Sequence, residues 1–157
     1  MTILATSCHI TSGNLVLLLR KREGLFGGGK WDPPGGKIKH GESPEECVVR
    51  EISEETGLKI TDPDGRGVLH YYKDDQRETP DWTVYLFVAQ RFRGIPSESR
   101  EGTLRWFRID ELPLEEMWED YRYWHKHLFE GRKMQGDFYF SGDFEKLRDY
   151  QLRIIQA

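Results

Sequence analysis

Arg50 and the glutamates Glu51, Glu54 and Glu55 lie within the eight residues REISEETG. On a helix, positions i, i+3 and i+4 share one face, and these carboxylates fall within an arc of roughly 100°. Like charges at that spacing destabilise a helix slightly. A solvated acidic face is the plain explanation. A divalent-cation seat is the chemical one. Hard cations such as Mg²⁺ take oxygen ligands, keep several waters, and use a few carboxylates together with substrate phosphates. Such a cation removes the repulsion and polarises a phosphoryl group. A glutamate of the cluster can then serve as general base toward water.

The helix that must carry these residues is well marked. Ser43 is an N-cap candidate, Pro44 follows at the first helical position, and Glu46 completes a capping box. Gly57 supplies a left-handed stop, so the helix is expected over Pro44 to Thr56. Val48, Val49, Ile52 and Thr56 occupy the arc beside the carboxylates and are expected to pack on a sheet. The acids therefore border a buried stripe, where repulsion is stronger. Glu46 and Arg50 are spaced as a favourable i, i+4 pair. The three glutamates have no basic residue four positions on: Glu51 faces Glu55, Glu54 faces Leu58, and Lys59 lies beyond the Gly57 stop. Upstream, Trp31 and Asp32 lead into the breaker cluster Pro33-Pro34-Gly35-Gly36, read as a loop. Gly24, Gly29 and Lys30 resemble a phosphate-binding loop, but Trp31 stands where Ser or Thr is needed and no helix can follow.

The rest of the chain supplies strands and a second helix. ILATSCHI and LVLLLR, joined by Thr11-Ser12-Gly13-Asn14, read as a hairpin. VLHYYK, TVYLFVAQRF, LRWFRI and DFYF read as strands, and GIPSESREGT as a loop. LEEMWEDYRYWHKHLFEG reads as a helix stopped near Gly131; the tail from Phe144 has no single reading. Strands mixed with two helices predict an α/β fold with helices on the faces of a mixed sheet. No repeat or linker divides the chain, so one domain over residues 1–157 is expected.

Composition narrows the function classes. Charged residues at 32% and hydrophobic ones at 37% are ordinary for a globular protein and far from disorder. No apolar run approaches the roughly 18 residues of a membrane span. A net charge of −4 argues against a nucleic-acid polymer as partner. The first residues lack a basic segment, and Thr6, Ser7 and His9 break their apolar stretch, so they do not read as a signal peptide. Cys8 and Cys47 form no CxxC or zinc-ligand pattern, and a reduced, cytoplasmic protein is expected. His9, His40, His70, His125 and His127 show no metal-ligand spacing.

The glutamates belong to a longer pattern, GKIKHGESPEECVVREISEETGL. Gly36 is followed after five residues by Glu42, and after seven more by Arg50-Glu51, Ile52, Ser53, Glu54-Glu55, Thr56, Gly57 and Leu58. This fits the complete Nudix box, and the chain resembles the Nudix hydrolases. The resemblance implies an α/β/α sandwich that cleaves nucleoside diphosphates linked to another group, with Mg²⁺ (or Mn²⁺) as cofactor. FGGGKW, WFRIDELP, MWEDYRYW and MQGDFYFSG are similar to the oxidised-purine nucleoside triphosphatases, the sanitising enzymes of the MutT type, especially the animal form. Together these segments cover most of the chain from Val16 to Ile155.

Residue roles follow from that resemblance. It implies a metal set made of the Gly35 carbonyl, Glu51 and Glu55, with Glu54 placed to join and Glu101 supporting the metal or activating water. Lys37 is implied as a phosphate contact, Phe26 as a pocket wall, Trp118 as the aromatic that stacks on the purine, and Asp120 as an acid that bonds its edge. Stacking area plus a carboxylate acceptor suits a purine. Without the resemblance, Glu101 and Lys37 read as solvated loop residues, and Met117, Trp118 and Trp124 as core positions of an amphipathic helix. Two positions depart from the animal pattern. Asp32 stands where that branch has Asn, and Asp120 is followed by Tyr121 rather than a second acid. Two acids lining one apolar pocket repel, so Asp32 or Asp120 is expected to hold its proton unusually tightly.

The implied reaction is metal-assisted hydrolysis of a purine nucleoside triphosphate such as 8-oxo-dGTP, giving nucleoside monophosphate and pyrophosphate. Glu51, positioned by Arg50, is the first choice of base; Glu55 and Glu101 are alternatives. Other nucleoside diphosphate compounds (ADP-ribose, a dinucleoside polyphosphate, a nucleotide sugar) form a second substrate reading. A nucleotide-binding module without catalysis is a third, and the intact box weighs against it. The expected partner is a small nucleotide, not a membrane or nucleic-acid polymer, and the expected state a monomer or dimer.

Overall fold

Alternation along one hairpin sets the layers of this computed structural model, which describes residues 1–156. Strands β1 (Ile3–Ser12) and β2 (Leu15–Lys21) are antiparallel across a two-residue turn where Gly13 takes a φ of +60°. Cys8, Ile10 and Leu17 face one side of the sheet, and Val16 and Leu18 face the other. Further strands are β3 (Trp31–Asp32), β4 (Lys59–Thr61), β5 (Asp64–Tyr72), β6 (Trp82–Ala89), β7 (Arg91–Arg93), β8 (Gly102–Arg108), β9 (Lys133–Ser141) and β10 (Lys146–Gln156). The main sheet has eight strands in the order β10-β9-β5-β6-β1-β2-β3, with β8 also paired to β2. The β1–β6 and β5–β9 pairs are parallel and the others antiparallel, so the sheet is mixed.

One helix covers each face. Helix α1 (Pro44–Thr56) packs Val48 and Ile52 on Cys8, Ile10 and Leu17. Helix α2 (Tyr121–Phe129) packs Tyr121, Trp124 and Leu128 with Val16, Leu18 and Leu69. The result is the α/β/α sandwich. Among the described residues no helix is long and apolar enough to cross a membrane.

α1 begins and ends where its caps predict. The Ser43 side chain accepts from Glu46 N, Glu46 accepts in return from Ser43 N, and Gly57 takes a φ of +78°. Elsewhere the structure corrects the sequence. The segment from Leu114 to Gly131 is not one helix: Leu114–Glu116 form a single 3₁₀ turn, and Met117 is extended at φ −122° and ψ 167°. Met117 and Tyr121 are buried on either side of the break, and no Pro or Gly marks the point. Trp31 and Asp32 form a short strand on β2 rather than a loop. TVYLFVAQRF splits at Gln90 into β6 and β7, because β7 leaves to pair with β4 in a separate small sheet. The tail is β10, the sheet edge. Val49 is 38% exposed and not part of the packing stripe.

The site depends on a split in the sheet. Ladder pairing of β1 with β2 is confined to Ile10–Ser12. Nearer the start of β1, the chain after β3 runs along that strand instead. Cys8 and Thr6 donate to the Pro34 and Gly36 carbonyls, and Ile38 donates to the Leu4 carbonyl. A Cβ on Gly35 would run into the Thr6 carbonyl oxygen, so this close approach requires glycine.

Candidate active site

Arg50 organises the acidic end of the site. Its Nε and Nη2 donate to the two carboxylate oxygens of Glu42 at 2.6 and 2.9 Å, and Nη2 also reaches the Lys37 carbonyl at 3.1 Å. Its Nη1 donates to Glu51 Oε1 at 2.8 Å and to Glu54 at 3.1 Å. Hydrogen bonding from Arg50 holds the Glu42 carboxyl down to about 2. Two sequence expectations change here. Arg50 pairs with Glu42, Glu51 and Glu54 rather than Glu46, whose carboxylate is occupied at the cap. The acidic face therefore has a basic partner, placed N-terminal to the acids. A Cβ on Gly36 would run into the Glu51 carboxylate, so this glycine clears room for that side chain.

Glu55 lies deeper, 5% exposed, and its Oε1 accepts from Gly35 N at 2.8 Å. Burial pushes its carboxyl up to about 8, opposed by the Gly35 hydrogen bond and by Lys21 of β2; Glu51 and Glu101 push it further up. Glu101 is carried by the turn before β8, where its carbonyl accepts from Arg22 N. The flanking carbonyls of Pro34 and Gly36 bond to β1, so in this extended stretch the Gly35 carbonyl faces away from β1, on the side of its own N–H and Glu55.

A cavity of about 250 Å³ runs from this end to an aromatic one. Gly35, Gly36, Lys37, Lys21 and Glu55 line the acidic end. Trp118, Phe26, Trp82 and Phe144 wall the other, with Asp32, Asp120, Tyr71 and Tyr121 on its floor. Phe26, half exposed, stands 5.4 Å from Trp118 and 6.2 Å from Trp82 between ring centroids. Gly27, at a φ of +79°, leaves room for Trp118: a Cβ there would stand 3.2 Å from the indole. Trp118 and Asp120 lie before α2, not within it, and the extended Met117 turns the chain so that both reach the cavity. Burial raises the carboxyls of both acids, Asp32 to about 7 with Asp120 as the second cause.

Over residues 1–128 the sequence matches the family model of the NUDIX domain. The chain belongs to the Nudix family. A mouse protein named oxidized purine nucleoside triphosphate hydrolase is 34% identical over 142 residues, spanning 90% of this chain and 88% of the relative. An uncharacterized Nudix hydrolase of Bacillus subtilis is 38% identical over 109 residues, 68% of this chain and 66% of that one. A crystal structure of a MutT protein from Bacillus halodurans superposes with a TM-score of 0.84 at 34% identity, over 96% of this chain and 97% of its own. The mixed sheet and paired helices are thus the Nudix fold, and the chain is a Nudix hydrolase.

Nudix hydrolases generally need a divalent cation, and the donor chemistry of this one fits. Glu51, Glu55, Glu101 and the Gly35 carbonyl offer only oxygen, as Mg²⁺ and Mn²⁺ prefer. Glu55 is a buried acid whose carboxylate neighbours raise it, and Lys21 is the cation that offsets them. Among the described residues no three His, Cys, Asp or Glu side chains already stand at ion-binding spacing. Glu54 is the outlying member, with its side chain 52% exposed and turned to Arg50. Residues that sequence reading missed also line the cavity: Lys21, Tyr71, Trp82, Tyr121 and Phe144. Tyr71 and Tyr121 belong to segments read as a strand and a helix, Lys21 and Trp82 fall just outside the strands as read, and Phe144 begins the tail that has no single reading. Only contact between distant elements makes them cavity walls.

Proposed function

We propose that this Nudix hydrolase cleaves oxidised purine nucleoside triphosphates such as 8-oxo-dGTP to the monophosphate and pyrophosphate, as in nucleotide-pool sanitation. The observation that carries this reading is the single cavity that joins the glutamate end of α1 to an aromatic pocket floored by acids. Its acidic end suits a phosphate chain with its cation, and its aromatic end suits a purine. The name of the mouse relative and its similarity over 90% of this chain support the same substrate class.

The Gly35 carbonyl, Glu51 and Glu55 would hold the Mg²⁺ or Mn²⁺, with Glu54 and Glu101 beside them. Bound there, the cation supplies charge neutralisation and polarises a phosphoryl oxygen. Lys37 and Lys21 line the cavity on the phosphate side and offset the remaining charge. Glu51 is the proposed base, since Arg50 holds one of its oxygens and is itself fixed by Glu42. Glu51 takes a proton from water as the water oxygen bonds to phosphorus and the phosphoanhydride bond breaks. Pyrophosphate leaves with the electrons of that bond. Phe26 and Trp118 hold the base by stacking. The buried free thiols Cys8 and Cys47 are in keeping with a reducing, cytoplasmic setting.

A screen of ordinary and oxidised nucleoside triphosphates, ADP-ribose, nucleotide sugars and dinucleoside polyphosphates, with Mg²⁺ and product identification, tests this reading. The expected result is pyrophosphate release from an oxidised purine triphosphate at the highest kcat/KM. Preference for ADP-ribose or another conjugate would replace the substrate assignment. Turnover of none would leave a nucleotide-binding module.

A further inference from the structure

The turn between β9 and β10 holds a bulky residue in a conformation that bulky residues avoid. Among the described residues four non-glycines have a positive φ: Asp62, Asp74, Asp75 and Phe144. Aspartate tolerates the left-handed region, whereas a large aromatic there is an outlier. Phe144 sits at +58°, two residues after Gly142 at +53°. The turn is pinned from both sides. Glu145 N donates to the Ser141 carbonyl, Asp74 N to the Gly142 carbonyl and Asp75 N to the Phe140 carbonyl. Lys73 Nζ stands 3.6 Å from Asp143 Oδ1. Strained backbone persists only where its surroundings over-determine it, and it collects at sites that use it.

The strain places a ring. Phe144 is 8% exposed, and its ring stands edge-on to three others, with centroids 5.6 Å from Phe140, 5.9 Å from Phe26 and 6.5 Å from Trp118. It lines the aromatic end of the active-site cavity and also an adjoining cavity of about 240 Å³. Phe26 and Trp82, stacked at 6.2 Å, are the other walls that the two cavities share. Beyond these rings the adjoining cavity is polar, with Lys73, Asp81 and Asp143 in its lining.

Resting on the reading that the aromatic end holds a purine, we propose that Phe144 is a specificity-determining residue. Its ring is the fixed partition that closes that end and limits the base to purines with small lesions, such as one added oxo group. A bulky substituent on the base would need the adjoining cavity, and Phe144 stands between. Phe26 is half exposed at a glycine-rich turn, and Trp82 belongs to β6, so Phe144 is the shared wall whose position costs backbone strain. The strain is exchanged for discrimination by exclusion.

Calorimetric titration of the full chain with Mg²⁺ tests this, using dGMP and its N2-benzyl, O6-benzyl and C8-phenyl derivatives. These ligands lack the scissile bond and extend the base from different edges. In the wild type the ratio Kd(derivative)/Kd(dGMP) is expected to be about tenfold or more for each, the scale on which a pocket resolves a few atoms. In Phe144→Gly at least one ratio is expected to fall to near one. In Phe144→Leu, which keeps an apolar side chain for the core, that ratio should fall part of the way. Losses of affinity common to all ligands cancel. Thermal melts give a second measure. Phe144→Gly and Phe144→Ala both lose the ring, but only glycine relaxes the positive φ, so the Gly variant should melt above the Ala variant. Wild-type ratios near one, ratios unchanged in the Gly and Leu variants, or an Ala variant melting above the Gly variant would overturn the proposal. Purine triphosphate hydrolysis with unchanged ratios overturns the role of Phe144 alone. Phe144-dependent ratios without hydrolysis overturn the activity alone. Failure of dGMP to bind the wild type overturns both.

Discussion

Glu55 and Glu51 are neighbours on α1, yet their surroundings give them different chemistry. Glu55 is buried and raised to about 8 from the ordinary glutamate value of 4.5. In the cation-free protein the folded state therefore holds its proton more tightly than the unfolded chain. The stability from that proton is fully present below about pH 4.5 and is lost as pH rises through about 8. Between about pH 5 and 8, cation-free thermal melts are thus expected to show the wild-type Tm falling relative to Glu55→Gln. Parallel profiles would count against the buried acid. Glu55→Gln is also expected to lose most of its activity while remaining folded. Glu51, braced by Arg50, is the residue whose change to Gln should lower kcat by about 10²-fold or more, the usual contribution of a general base. An unchanged kcat in single-turnover assays would move the base to Glu101. Arg50→Lys should follow Glu51→Gln in direction, because an ammonium cannot bond both Glu42 oxygens and still reach Glu51.

At the scale of elements, the loop from Pro33 to Ile38 is what brings α1 to the sheet split. Its adjacent glycines separate stability from activity. A Cβ on Gly35 meets rigid β1 backbone at Thr6, whereas one on Gly36 meets the movable end of Glu51. Gly35→Ala is therefore expected to cost about 2 kcal/mol or more in denaturant unfolding, within the range for strained substitutions. Gly36→Ala should leave stability within about 1 kcal/mol and lower kcat by displacing Glu51. Equal losses of stability in both would contradict the geometry. The capping box of α1 was legible in Ser43, Pro44, Glu46 and Gly57 because caps are local. The break at Met117 was not legible, since LEEMWEDYRYW contains no breaker.

For the molecule as a whole, the cavity divides into an acidic half at α1 and an aromatic half beside α2, helices that lie on opposite faces of the sheet. The two halves should respond independently. Mg²⁺ is expected to raise the Tm of the wild type and of Trp118→Ala alike, by mass action on the folded state. Trp118→Ala should raise KM for a purine triphosphate, and loss of the Mg²⁺ response in that variant would show that the halves are coupled. The local signals determined the family, the reaction class, and α1 with its caps, because REISEETG and its glycine loop act over neighbouring residues. Asp32, Trp118 and Asp120 could be nominated from the sequence but not given their neighbours. Which acid is bonded to Tyr71 and Trp124 depends on strands and helices far apart in the chain. Lys21, Tyr71 and Trp82 join the site for the same reason. Tertiary structure alone decided the aromatic pocket, because burial and hydrogen-bond partners are set by packing across the sheet.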